Sequence, residues 1–99
     1  MRIFSRKTLR EFWELSDNAD SEQPLKAWYD EATKANWKTP NEIKAQYKSA
    51  SILKGSRVIF NIHGNTYRLI VKINYDFAVI YIRFVGTHKQ YDKINANEV

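Results

Sequence analysis

The sequence predicts an α+β fold, with N-terminal helices packed on one face of a small antiparallel sheet and a short helix near the C-terminal end. Apolar residues recur at helical spacing up to about residue 47, and after residue 56 the period becomes extended. The extended runs that follow are joined by turns too short for a crossover, so neighbours must be antiparallel. Helices first and strands last place the chain in the α+β class.

Arg2-Ile3-Phe4 reads as a short strand ending at Ser5, a candidate N-cap. From Arg6 to Asp17, Leu9, Phe12 and Trp13 fall at i, i+3 and i+4, with Arg6, Lys7, Arg10, Glu11 and Glu14 outward. The polar stretch Ser16–Asp20 breaks this helix. A second helix carries Leu25, Trp28, Tyr29 and Ala32 on one face, and Pro24 sits in its first turn, where a missing N–H costs little. Trp13, Trp28 and Tyr29 stand at core spacing, not as a stacking platform. Thr39-Pro40-Asn41-Glu42 has the spacing of a capping box and opens a brief helix through Ile43 to about Tyr47.

Ile52-Leu53 is a short extended piece. Arg57–Ile62 is a strand, His63-Gly64-Asn65 a tight turn, and Tyr67–Ile73 the next strand. Tyr75-Asp76 then turns into a third strand, Phe77–Val85, and Thr87 can cap a short helix beyond Gly86. Asn95–Val99 is expected to fray.

Ninety-nine residues suit one domain, 1–99, and a composition 43 % apolar and 14 % aromatic is globular. Without cysteine there can be no disulfide and no thiolate metal site. No apolar run approaches the roughly 20 residues that span a bilayer, and none of secretory length follows Met1. A soluble, cytoplasmic protein with no membrane partner is expected. Two histidines and no paired carboxylates are too few ligands for zinc, and the glycine-rich phosphate motifs are missing, so neither metal nor cofactor is expected. The net charge of +5 is uneven: residues 1–50 hold nine Lys/Arg against eight Asp/Glu, and residues 51–99 hold seven against three. The C-terminal half is the candidate surface for a polyanion.

Strand alternation sorts the second half into two faces. Tyr67, Leu69, Val71 and Ile73 should meet the helices, as should Ile80, Ile82 and Phe84. Arg68, Lys72, Tyr81 and Arg83 then share the other side, where cations beside an aromatic ring suit single-stranded RNA. The same alternation also describes a solvated sheet face. His88 and Tyr91 stand three apart and share a face if Thr87 caps a helix. They are candidates for general acid–base work, or, alternatively, for capping and covering the core edge. RNA carries its own nucleophile, the 2′-OH, so these groups suffice in type for its cleavage. His63 reads as a turn residue.

Three ordered stretches carry a wider likeness: Trp37-Lys38-Thr39-Pro40 with Ile43-Lys44, Phe60 to Leu69 with its "GNxYRL", and Ile82 to Asp92 with its "THxxYD". In these the chain resembles the HigB-type toxins of bacterial toxin–antitoxin modules, a branch of the RelE superfamily of small RNases. The resemblance implies a RelE-like fold and a metal-independent mRNA endoribonuclease that acts with the ribosome. It also implies neutralisation by a HigA-type helix-turn-helix antitoxin, with a monomer when free and a hetero-oligomer with the antitoxin. By motif position it implies Arg68, His88 and Tyr91 as catalytic residues. Lys72, Tyr81 and Arg83 join them as RNA-binding residues through strand parity. The alternatives from other classes are a non-catalytic RNA- or ribosome-binding module and a protein-interaction domain.

Overall fold

The structure, a computed structural model, describes residues 1–99. Chain order is β1 (Arg2–Phe4), α1 (Arg6–Trp13), a 3-10 turn (Ser16–Ser21), α2 (Glu22–Lys34), α3 (Pro40–Gln46), β2 (Ser51–Ile52), β3 (Arg57–Ile62), β4 (Tyr67–Asn74), β5 (Val79–Thr87) and α4 (His88–Tyr91). The sheet order is β1-β5-β4-β3-β2. β2 to β5 pair antiparallel as expected, and β1 is added in parallel along β5, Phe4 beside Tyr81. No sequence period could report that pairing, since it joins residues far apart in the chain. The Met1 nitrogen seats β1 by donating to the Ala32, Thr33 and Ala35 carbonyls at the end of α2 (3.2, 2.6 and 3.0 Å).

α1 stops at Trp13 instead of Asp17. Its continuation tightens into the 3-10 turn, where the Ser21 side chain bonds the backbone: its Oγ donates to the Asn18 carbonyl at 2.6 Å. α3 opens with both halves of its capping box, the Thr39 side chain accepting from Glu42 N and the Glu42 carboxylate from Thr39 N. β5 starts at Val79, not Phe77, since Asn74 Oδ1 accepts from Phe77 N and holds Tyr75–Ala78 as a turn, with Ala78 at φ +55°.

The helices cover one face only. Leu9, Phe12 and Trp13 of α1, and Leu25, Trp28 and Ala32 of α2, bury against Val58, Phe60 and Ile62 and against Tyr67, Leu69, Val71 and Ile73. Phe60 is the focus: the rings of Trp28, Tyr47 and Trp37 lie 5.4, 5.1 and 6.2 Å from it. Tyr29 only borders this core, with Arg6 over its ring at 5.9 Å.

A register shift beside Ile70/Val71 corrects the parity of β5. Val71 lies opposite Ile82 but Ile70 opposite Phe84, which leaves Arg83 as an extra residue, a β-bulge. Phe84 therefore moves to the face turned away from the helices, and Val85, opposite Leu69, takes its expected place at the core. Alternation holds only while the ladder is unbroken.

The C-terminal segment does not fray. Ile59 and Ile70 lie on the face away from the helices yet are buried, and Arg57 on that face donates from Nε to the Val99 oxygen at 3.1 Å. Asn95 gathers the Asn97, Glu98 and Val99 amides into a compact turn. The chain after α4 thus returns across the sheet.

Phe60→Ala should cost about 3–5 kcal/mol in urea unfolding, while Phe77→Ala, at an exposed turn, should stay within about 0.5 kcal/mol. A second outcome concerns pH. The Tyr67 hydroxyl donates to Asp20 Oδ1, and this bond, with burial, pushes the phenol from 10.0 up to about 12. The folded state holds the proton more tightly than the unfolded chain. The contribution is therefore complete below pH 10.0 and lost as pH rises through about 12. Stability should fall across that window by up to about 1.4 kcal/mol per pH unit for this group. Tyr67→Phe should show a shallower fall, and an unchanged slope would contradict the assignment.

Candidate functional site

The open face of the sheet, away from the helices, carries Arg57, Ile59 and Asn61 of β3, Arg68, Ile70 and Lys72 of β4, and Tyr81, Phe84 and Gly86 of β5. At one end, Asn61, Arg68 and Gly86 stand side by side across three strands. α4 begins just beyond. Thr87 is its N-cap: its side chain accepts from Gln90 N at 3.2 Å, and Gln90 Oε1 accepts from Thr87 N at 2.8 Å. This box turns the chain sharply out of β5, so His88 and Tyr91 share one side of a single helical turn.

Tyr91 is brought onto the sheet cation. The Arg68 guanidinium carbon lies 5.5 Å from the centre of the Tyr91 ring. Arg68 Nε and His88 Nε2 are both buried and have no hydrogen-bond partner, and Asn61 Oδ1 is in the same condition although its Nδ2 donates to the Ser49 carbonyl. Of these, Asn61 and Arg68 stand directly opposite each other on β3 and β4. Gly86 makes the corner possible. A Cβ there would lie 2.5 Å from Phe84 Cζ and 2.7 Å from Gln90 Oε1.

Charge follows the same division. The ion pairs are Arg10–Glu14, Lys26–Glu22 and Lys34–Asp30, and none uses Arg68, Lys72, Arg83 or His88. The acidic residues neutralise the helical half and leave the open face positive. Lys72, Tyr81 and Arg83 meet at the other end of that face, lining one concavity, four strand residues or about 13 Å from Arg68. Arg68 with Tyr91, and Lys72 with Tyr81 and Arg83, therefore border the open face in two groups, and His88 opens the helical turn that carries Tyr91. His63 is a turn residue at φ +55°, 3.6 Å from Asp20.

Asn61, Phe84 and Phe4 were not singled out. Asn61 is legible only through its register with Arg68, Phe84 only through the bulge, and Phe4, stacked on Tyr81 at 6.0 Å, only through the parallel pairing of β1. No three His, Asp or Glu side chains converge in a way that would hold a metal ion, and no helix is long and apolar enough to cross a membrane.

The model of a family described as HigB_toxin, RelE-like toxic component of a toxin–antitoxin system, matches residues 21–94. The chain belongs to the HigB toxin family. The match runs from the 3-10 turn through α4 and so includes every residue of the open-face corner. Among curated relatives, the chain is 30 % identical over 98 residues to the mRNA interferase toxin HigB of Escherichia coli strain K12, covering 97 % of this chain and 92 % of the relative. The mRNA interferases HigB of Escherichia coli O157:H7 and Shigella flexneri match to the same extent. The five-stranded sheet with helices on one face is the α+β architecture of this RelE-like family.

Gly86→Ala should displace either Phe84 or Gln90 and cost about 1–3 kcal/mol. Amide exchange should localise the damage: faster exchange at Thr87 and Gln90, with the β3 and β4 amides unchanged.

Proposed function

We propose that this toxin is an mRNA endoribonuclease that uses no metal and cleaves through the RNA 2′-OH, acting on ribosome-associated message to stop translation. The observation that carries the reading is the corner where the Arg68 guanidinium lies 5.5 Å from the Tyr91 ring, beside the turn that opens at His88, on a face whose Arg68, Lys72 and Arg83 join no ion pair. The relatives named as mRNA interferases support it.

The chemistry needs little from the protein. The 2′-oxygen attacks the adjacent phosphorus, the bond to the 5′-oxygen breaks, and a 2′,3′-cyclic phosphate and a 5′-hydroxyl result. One proton leaves the 2′-OH and one must reach the departing 5′-oxygen. His88 and Tyr91 share these transfers, with histidine suited to both directions near neutral pH. Arg68 lies against Tyr91 and stabilises the added negative charge on the phosphoryl oxygens. Asn61, beside Arg68, orients the ribose or phosphate. Lys72, Tyr81 and Arg83 bind RNA further along the face.

The free toxin acts as a cytoplasmic monomer. A helix-turn-helix antitoxin of the HigA type would silence it in a hetero-oligomer, and the unpaired cations of the open face favour an acidic segment of that partner.

His88→Ala and Arg68→Ala should each lower cleavage about 10²–10⁴-fold and relieve growth arrest, with circular dichroism and unfolding midpoint near those of the parent. Toxicity undiminished in both variants would overturn the site. Primer extension on messages from induced cells should show new 5′ ends, whereas intact transcripts would point to a binding module without cleavage.

A further inference from the structure

At the end of the open face away from His88, β4 and β5 run into the Tyr75–Ala78 turn and enclose a concavity of about 610 Å³. Its wall carries Lys72 and Arg83, the ring of Tyr81, and the polar groups of Ser56, Asn74 and Asp76. Lys72 and Arg83 take part in no ion pair, and Asp76, on the same wall, pairs with neither. Two unpaired like charges around one hollow repel each other, and a bound anion relieves that repulsion.

Beside the cations stands an exposed aromatic pair. The Phe4 and Tyr81 rings stack with centroids 6.0 Å apart and planes at 20°. They remain 46 % and 42 % exposed, an unusual state for two adjoining large rings in a small protein. Arg2 lies 5.3 Å over the Phe4 ring and adds a further positive charge. Asn74 uses its Oδ1 on Phe77 N, so its amide hydrogens remain free to donate. A ring platform next to paired cations fits one ligand chemistry: a planar base joined to a phosphate.

We propose that this concavity is a nucleotide subsite, in which the Tyr81–Phe4 platform stacks a base and Lys72 with Arg83 holds its phosphate. The assignment rests on the RNA-cleavage reading for its purpose. Lys72 is about 13 Å along β4 from Arg68, so the subsite receives a nucleotide flanking the cleaved one. Recognition there is tolerant of base identity, because every base offers a π-face.

The test is a heteronuclear NMR titration of the full chain with the four nucleoside 5′-monophosphates, inorganic phosphate and an acidic peptide as separate probes. The nucleotides should perturb Phe4, Lys72, Tyr81 and Arg83, with affinities within a few-fold of one another. Phe4→Ala and the exposed-face change Lys72→Gln should each weaken binding about five-fold or more, whereas His88→Ala should leave it unchanged. Phosphate binding as tightly as the nucleotides, with Phe4→Ala silent, would reduce the site to a simple anion hole and overturn the proposal. So would shifts confined to Arg68, His88 and Tyr91, no shifts at millimolar nucleotide, or binding of the acidic peptide alone. If Phe4→Ala fails to fold, Lys72→Gln decides. A chain that cleaves RNA but ignores nucleotides here refutes the subsite only, while a chain that binds them without cutting RNA refutes the cleavage reading only.

Discussion

β4 has a hydrogen-bonded strand on each side, so its alternate residues are divided between two surfaces with opposite requirements. Tyr67, Leu69, Val71 and Ile73 must be dry and packed under the helices. Arg68 and Lys72 lie on the face away from the helices, where their charge is not forced into the core. A slip of one residue would exchange the two sets, burying two cations and exposing four large side chains. Every other element serves this division. The ring cluster around Phe60 clamps the helices on one side, and β3 and β5 present their own polar and aromatic residues on the other.

The positive face persists because the carboxylates that find partners find them elsewhere. Glu14, Glu22 and Asp30 pair within helices, Glu42 caps α3, and Asp20 accepts from Tyr67 beneath the β3–β4 turn. Surface pairs of this kind contribute little to stability. Their effect is on the field: they neutralise the helical half and concentrate the excess charge where the sheet is open. The Tyr67–Asp20 bond differs, since it anchors the 3-10 turn to the start of β4, next to Arg68.

Strain and order at the corner come from small devices. Gly86 has no side chain, and Phe84 and Gln90 fill the space that a methyl would need. Gln90 thereby closes the capping box on Thr87, and the box sets where His88 and Tyr91 begin their turn. A four-residue helix has no stability of its own. It is held by this cap and by its seat on β4 and β5, which is why two side chains three apart can face a strand residue distant in sequence.

The sequence by itself determined the α+β class, the helical faces of Leu9 to Trp13 and Leu25 to Ala32, the Thr39–Glu42 capping box and the cap at Thr87, the meander of β3 to β5, and the placing of Arg68 and Lys72 away from the core. These depend on local periodicity and on hydrogen bonds three residues apart, which spacing alone reveals. Tertiary structure decided what spacing cannot reach. The bulge at Arg83 exchanged Phe84 for Val85, because a register is a relation between two strands. Asn61 joined Arg68 through the β3–β4 ladder, and Phe4 reached Tyr81 through a parallel pairing across most of the chain. The segment after Tyr91, polar enough to suggest a loose end, was tied back to the sheet by Arg57, whose Nε donates to the Val99 oxygen, a bond between residues far apart in the chain.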